Sequence, residues 1–99
     1  MSNKKITQRH LQTLRDLVST IVRGIVDSPD RVEVNIVPSQ FRLIVELHTS
    51  ETDVGQVIGK NGHVVSSIRS ILTAHGGREG LKVEMDYITE RSNKSNPNV

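Results

Sequence analysis

Three stretches of the chain alternate apolar and polar residues, and each alternation leaves one face apolar and the other largely polar. Val32, Val34 and Ile36 alternate with Arg31, Glu33 and Asn35. Phe41, Leu43, Val45 and Leu47 alternate with Arg42, Glu46 and His48, and Leu81, Val83, Met85 and Tyr87 with Lys82, Glu84 and Asp86. Period two predicts half-buried strands over 31–37, 41–48 and 81–88. A sheet with one apolar face has to be covered on that face and meets water on the other. Ile44 interrupts the polar set and makes the outer face locally apolar.

The cover has to come from the stretches between. Leu11, Leu14, Leu17, Val18, Ile21, Val22 and Ile25 recur at the i, i+3, i+4 spacing of one helical face, with Thr7 placed to cap the start. Asp27-Ser28-Pro29-Asp30 is expected to end that helix, because a residue before proline is biased away from helical angles. Pro38-Ser39-Gln40 predicts a three-residue hairpin loop between the first two strands. Ser50 and Asp53 have the spacing of a capping box and open a short helix carrying Val54, Val57 and Ile58. A second helix is expected from about His63, with Val64, Val65, Ile68, Ile71 and Leu72 on one face and Gly76-Gly77 as its stop. The element order is α-β-β-α-α-β, and the two-helix crossover favours a third strand parallel to the second. The fold class is α+β, a three-stranded mixed sheet with three helices packed on one face. At 99 residues the chain reads as one domain. Residues 1–8 are expected to be a flexible N-terminus, 9–88 the folded domain, and 89–99 a polar disordered tail.

Several functions are excluded or disfavoured by what is missing. There is no cysteine, which removes disulfides, thiolate metal sites and cysteine nucleophiles. His10, His48, His63 and His75 have neither H-x-H nor H-E-x-x-H spacing, so no metal site is expected. Gly55 to Asn61 is one residue short of a Walker loop and has Asn61 where that loop needs Ser or Thr. No serine has a recognisable nucleophile setting and the acids are scattered, so the chain reads as non-enzymatic, without cofactor or small-molecule substrate. No apolar run approaches the roughly 20 residues of a membrane span, and no apolar stretch follows Lys4 and Lys5 as in a signal peptide. A cytoplasmic location is the expectation.

The chemistry concentrates in Gly59-Lys60-Asn61-Gly62, a tight turn with a glycine at each end and a cation inside. Glycines there remove side chains that would hold a ligand's backbone away. The following helix aims its free N–H groups and positive dipole end at the same place, a disposition suited to phosphate. Net charge is only +2. Its distribution says more: from Val54 through Arg78 there is no Asp or Glu, while Lys60, Arg69 and Arg78 are present with His63 and His75. Two glycines between helices also occur as purely structural turns, and exposed helix arginines such as Arg69 are common on any surface.

The apolar pair Val57-Ile58, then Gly59-Lys60-Asn61-Gly62, then Val65 resembles the hallmark of the KH family of RNA-binding domains. The element order resembles the type II, bacterial arrangement of that fold. Asp53 to Gly62 after a hairpin, with Asp27-Ser28-Pro29-Asp30-Arg31-Val32 after the first helix, is similar to the small bacterial KhpA group. The likeness covers Leu11 to Ile88. It implies a groove for about four nucleotides of single-stranded RNA between the central helices and the neighbouring strand. Gly59, Lys60, Asn61 and Gly62 would meet backbone phosphates, with His63 and Arg69 beside them. Val54, Val57, Ile58 and Val65 would floor the groove, except where they face the sheet as ordinary core. The KhpA likeness further implies an RNA chaperone or regulator that pairs with itself or with a larger KH partner of the Jag (EloR) type.

Phe41 and Tyr87, the only aromatics, both fall on inward positions, so no exposed stacking platform is expected. Sequence preference should be low and binding sensitive to salt. Two alternatives stay open: a KH-like adaptor that dimerises or docks a larger partner through Ile44 and the last helix, and a ribosome-assembly factor bound to folded RNA.

Overall fold

The computed structural model describes residues 6–40 and 42–89. Most of the expected N-terminal arm, the inward placement of Phe41, and the expected tail from residue 90 onward lie outside them.

Helix α1 spans Gln8–Arg23 and is capped by Thr7, whose Oγ1 accepts from the His10 N–H at 3.2 Å. His10 Nδ1 accepts in return from the Thr7 N–H at 3.1 Å, so histidine takes the place that Glu or Gln holds in a usual capping box. Its buried face is Leu14, Val18 and Val22. The helix ends at Gly24, before the expected Asp27–Asp30 stop, and Ile25 lies beyond it. Gly24 keeps right-handed angles, φ −76° and ψ −9°, and its N–H still bonds the Thr20 and Ile21 carbonyls, so the last turn loosens before the proline is reached. Pro29–Arg31 then forms a single 3₁₀ turn.

The sheet is built from β1 (Glu33–Ser39), β2 (Arg42–His48) and β3 (Lys82–Tyr87) in the order β1-β2-β3. β1 and β2 are antiparallel, and β2 and β3 parallel, as the crossover requires. The first ladder runs to Ser39↔Arg42, so the connection is tighter than a three-residue loop. Pro38 belongs to the strand, opposite Leu43, and Gln40 takes φ 45° to make the turn. A proline is tolerated there because β1 is an edge strand.

Leu43, Val45 and Leu47 of β2 are almost completely buried, as are Val83 and Met85 of β3. They meet α1 and the last helix, α3 (His63–Glu79), which contributes Val65, Ile68 and Leu72. All three helices cover this one face, the arrangement of a type II KH fold. The even-numbered positions of β2 and β3 face outward. Among the described residues no helix is long and apolar enough to cross a membrane.

Two expectations for α3 are corrected. Gly76-Gly77 does not stop the helix, which continues to Glu79 and is capped by Gly80 at φ 73°. Gly76 is there for proximity: a Cβ would come within 2.5 Å of the Leu81 carbonyl oxygen, and Leu81 N–H donates to the Gly76 carbonyl at 2.8 Å. Ile71 is not on the buried face but 45% exposed. At about 100° per residue it lies about 100° round the helix from Leu72 and about 120° from Val65, on the outer margin of the face beyond Ile68.

Candidate nucleic-acid interface

After β2 the chain makes a 3₁₀ turn, Glu51–Asp53, and enters α2, Val54–Ile58, only five residues long. The capping box expected from Ser50 and Asp53 does not form. Ser50 makes no cap bond and its Oγ is 3.0 Å from Thr52 Oγ1. The Asp53 carboxylate, 1% exposed, is instead turned toward the loop after α1. Its Oδ1 accepts from the Asp27 N–H and its Oδ2 from the Ser28 N–H, each at 3.1 Å. The two loop N–H groups are only partly buried, and a single carboxylate satisfies both at once.

α2 stops at Gly59, whose φ of 77° and ψ of 172° belong to a region open in practice only to glycine. A Cβ there would also run into the Val64 side chain and backbone N. Asn61 at φ 56° and Gly62 at φ 74° follow in the left-handed region, so three of the four turn residues have positive φ. Asn is the residue after glycine that tolerates such angles best. The turn is closed by Gly62 N–H donating to the Gly59 carbonyl at 3.1 Å. Backbones that switch hand in this way turn successive N–H groups toward one point, a concavity that suits an anion.

Gly62 is also the N-cap of α3, and no side chain caps that helix. Seventeen residues of aligned peptide dipoles therefore end, positive, at the turn, with no acid in the first helical turn to offset them. Lys60, Asn61 and His63 are exposed around this point, and Lys60 holds no ion pair among the described residues. Chemically the site can grip a phosphate diester from one side.

The expected floor divides. Val57 and Val65 are core residues, whereas Val54 and Ile58 keep part of their surface toward solvent. Arg69 lies further along α3, and its Nε donates to the Met85 carbonyl of the β3 edge at 3.3 Å. With Thr73, Val83, Glu84, Met85 and Asp86 it lines a groove of about 320 Å³ between α3 and that edge. The groove continues past Gly77 and Leu81 as a hollow of about 470 Å³. Arg78 lies outside it and pairs loosely with Glu79 at 3.9 Å.

Two groups escaped the sequence reading. One is Asp53 in its long-range role, since a capping pattern looks the same whether the carboxylate bonds locally or not. The other is the pair Thr49–Tyr87, hydrogen-bonded through their hydroxyls where β2 and β3 end. Burial pushes the Tyr87 phenol above its ordinary range; the bond from Thr49 pulls it back, and the nearby Asp53 and Glu51 carboxylates push it up again.

Comparison with known proteins shows the family. The KhpA/KhpB KH-domain family matches residues 15–86. The protein named RNA-binding protein KhpA in Mycobacterium bovis is 40% identical over 70 residues, covering 71% of this chain and 86% of the relative. The one so named in Caldanaerobacter subterraneus is 38% identical over 73 residues, covering 74% and 97%. That of Chlamydia trachomatis is 31% identical over 78 residues, covering 79% and 100%. The chain belongs to the KhpA/KhpB family of KH domains.

Proposed function

We propose that this protein binds single-stranded RNA through the Gly59–Gly62 turn and acts without catalysis, as an RNA chaperone or post-transcriptional regulator in the cytoplasm. The observation that carries the reading is the convergence at the turn. Three positive-φ residues, an uncapped 17-residue helix with no acid in its first turn, and exposed Lys60 all address one point. The relatives' name, RNA-binding protein KhpA, supports the same ligand. In this reading the turn holds phosphates, Lys60 adds charge, and bases lie along Val54, Ile58 and the groove between α3 and β3. Arg69 spends one donor on Met85 and keeps the rest of its guanidinium for the groove.

The test is fluorescence anisotropy with a short single-stranded RNA, comparing the protein with a Lys60→Asp, Asn61→Asp form. The double variant is expected to lose at least tenfold in affinity while its circular dichroism stays unchanged, because both residues are exposed and Asp also tolerates the left-handed region. Equal affinity in a folded double variant overturns the clamp.

A second reading has its own observation. Ile71 on α3 and Val37 on the open sheet face, beside Ile44, are large apolar side chains 45% and 41% exposed. A self-pairing, or pairing with a larger KH protein of the Jag (EloR) type, would cover them and add a second RNA groove. Light scattering across a concentration series distinguishes a pair from a monomer.

A further inference from the structure

The helix that carries the glycine turn cannot hold itself in place. Five residues are far below the roughly 12 at which an isolated helix becomes even marginal, so α2 takes its direction from what it is fastened to. Val57 fastens its middle to the core. Its beginning is fastened by Asp53, the only fully buried charged side chain among the described residues. Both carboxylate oxygens are engaged, by N–H groups 26 and 25 residues earlier in the chain. A single bond would leave α2 free to swivel about it; two bonds from adjacent amides fix its rotation as well as its position.

We infer that Asp53 is a positioning residue for RNA binding, setting the tilt of α2 and so the place of the Gly59–Gly62 turn relative to the groove. The inference rests on the RNA reading above. Its leverage is geometric. Gly59 lies six residues on, about 9 Å along the helix at 1.5 Å per residue. A tilt of about 10° at Asp53 then moves the turn by roughly 1.5 Å, enough to spoil contacts that need placement within about 0.5 Å. The loop at Asp27-Ser28 thereby becomes a remote part of the RNA site that touches no RNA. Asparagine at this position keeps one acceptor and turns an NH₂ group toward the other loop N–H, so Asp53→Asn breaks half of the attachment without changing side-chain volume.

The experiment measures RNA affinity by anisotropy for the wild type, Asp53→Asn and Val18→Ala, at a temperature where all three are folded. Val18→Ala opens the core under α1, away from α2, and supplies a comparable loss of melting temperature. The expected result is at least a tenfold loss of affinity for Asp53→Asn and less than a twofold change for Val18→Ala. Equal affinities of folded Asp53→Asn and wild type overturn the inference and leave the RNA reading standing. Equal losses in both variants also overturn it, since general destabilisation then suffices. A companion measurement needs only the wild type: saturating RNA should slow hydrogen exchange at the Asp27 and Ser28 amides, and unchanged exchange there counts against the attachment even if Asp53→Asn does not fold. A wild type that binds no RNA overturns the RNA reading itself, and this inference with it.

Discussion

Tyr87 is a convenient reporter on the corner where the two parallel strands end, because it is the only tyrosine and there is no tryptophan. Desolvation is the chief reason its proton is held more tightly than usual, with the Thr49 bond acting in the opposite sense and Asp53 and Glu51 adding to the rise. The fold thus favours the neutral phenol. A folded-state midpoint above the unfolded value means a stabilising contribution that is complete below about pH 10 and disappears as pH rises through the folded midpoint. Phenolate absorbance should titrate above pH 10 in the folded protein, and higher still in Thr49→Val, which loses the bond that favours the charged form. A midpoint at the ordinary value in folded protein would contradict this environment. At this scale much of the site was legible in the residues themselves: Gly59, Asn61 and Gly62 could be placed in a turn because so few residue types accept positive φ. Asp53 was not legible in its real role. Its partners lie 25 and 26 residues away, and no local pattern encodes them.

Elements were read most reliably where one period ran unbroken. The strands and both long helices follow from alternation and from three- and four-residue spacing, which the burial of Leu43, Val45 and Leu47 and of Leu14, Val18 and Val22 repeats in three dimensions. Their ends were harder. Gly24 ended α1 early, and Gly76 was mistaken for a stop because sequence cannot distinguish a glycine that breaks a helix from one that lets a strand approach it. α3 also separates two adjacent apolar residues. Leu72 is fully buried and Ile71 is 45% exposed. Leu72→Ala should cost about 2–5 kcal/mol and Ile71→Ala less than about 0.5 kcal/mol in urea unfolding of the monomer. Similar losses for the two would mean that the helix is rotated from the orientation described.

Across the whole molecule, charge is sorted by side more than by amount. The open sheet face carries Glu33, Glu46, Glu84 and Asp86, with Arg42 and Lys82 gathered around Glu84 at 3.4 and 3.5 Å. The helical side from Val54 through Arg78 has no acid at all. In the proposed RNA reading, that sorting would steer a polyanion to the turn rather than to the sheet, although the net charge is only +2. Backbone N–H groups and a helix dipole supply much of the attraction at the turn, and they release no counterions of their own. The salt sensitivity expected from the sequence should accordingly be modest: the logarithm of RNA affinity should fall with the logarithm of salt with a slope of about −0.7 to −1.4, for one or two neutralised phosphates on a single strand. A slope steeper than about −3 would reveal a larger cationic footprint than Lys60 and Arg69 provide. The edge of the sheet beside the groove has a different consequence. Ile88 N–H bonds the Leu47 carbonyl, so even-numbered residues at the end of the ladder direct their main-chain groups to β2, and odd-numbered ones, Met85 among them, direct theirs to the open lateral edge while their side chains stay in the core. An outward main-chain row invites another chain to zip onto it. By capping the Met85 carbonyl, the Arg69 guanidinium interrupts that row at its middle and makes this edge a poor template for strand-on-strand polymerisation.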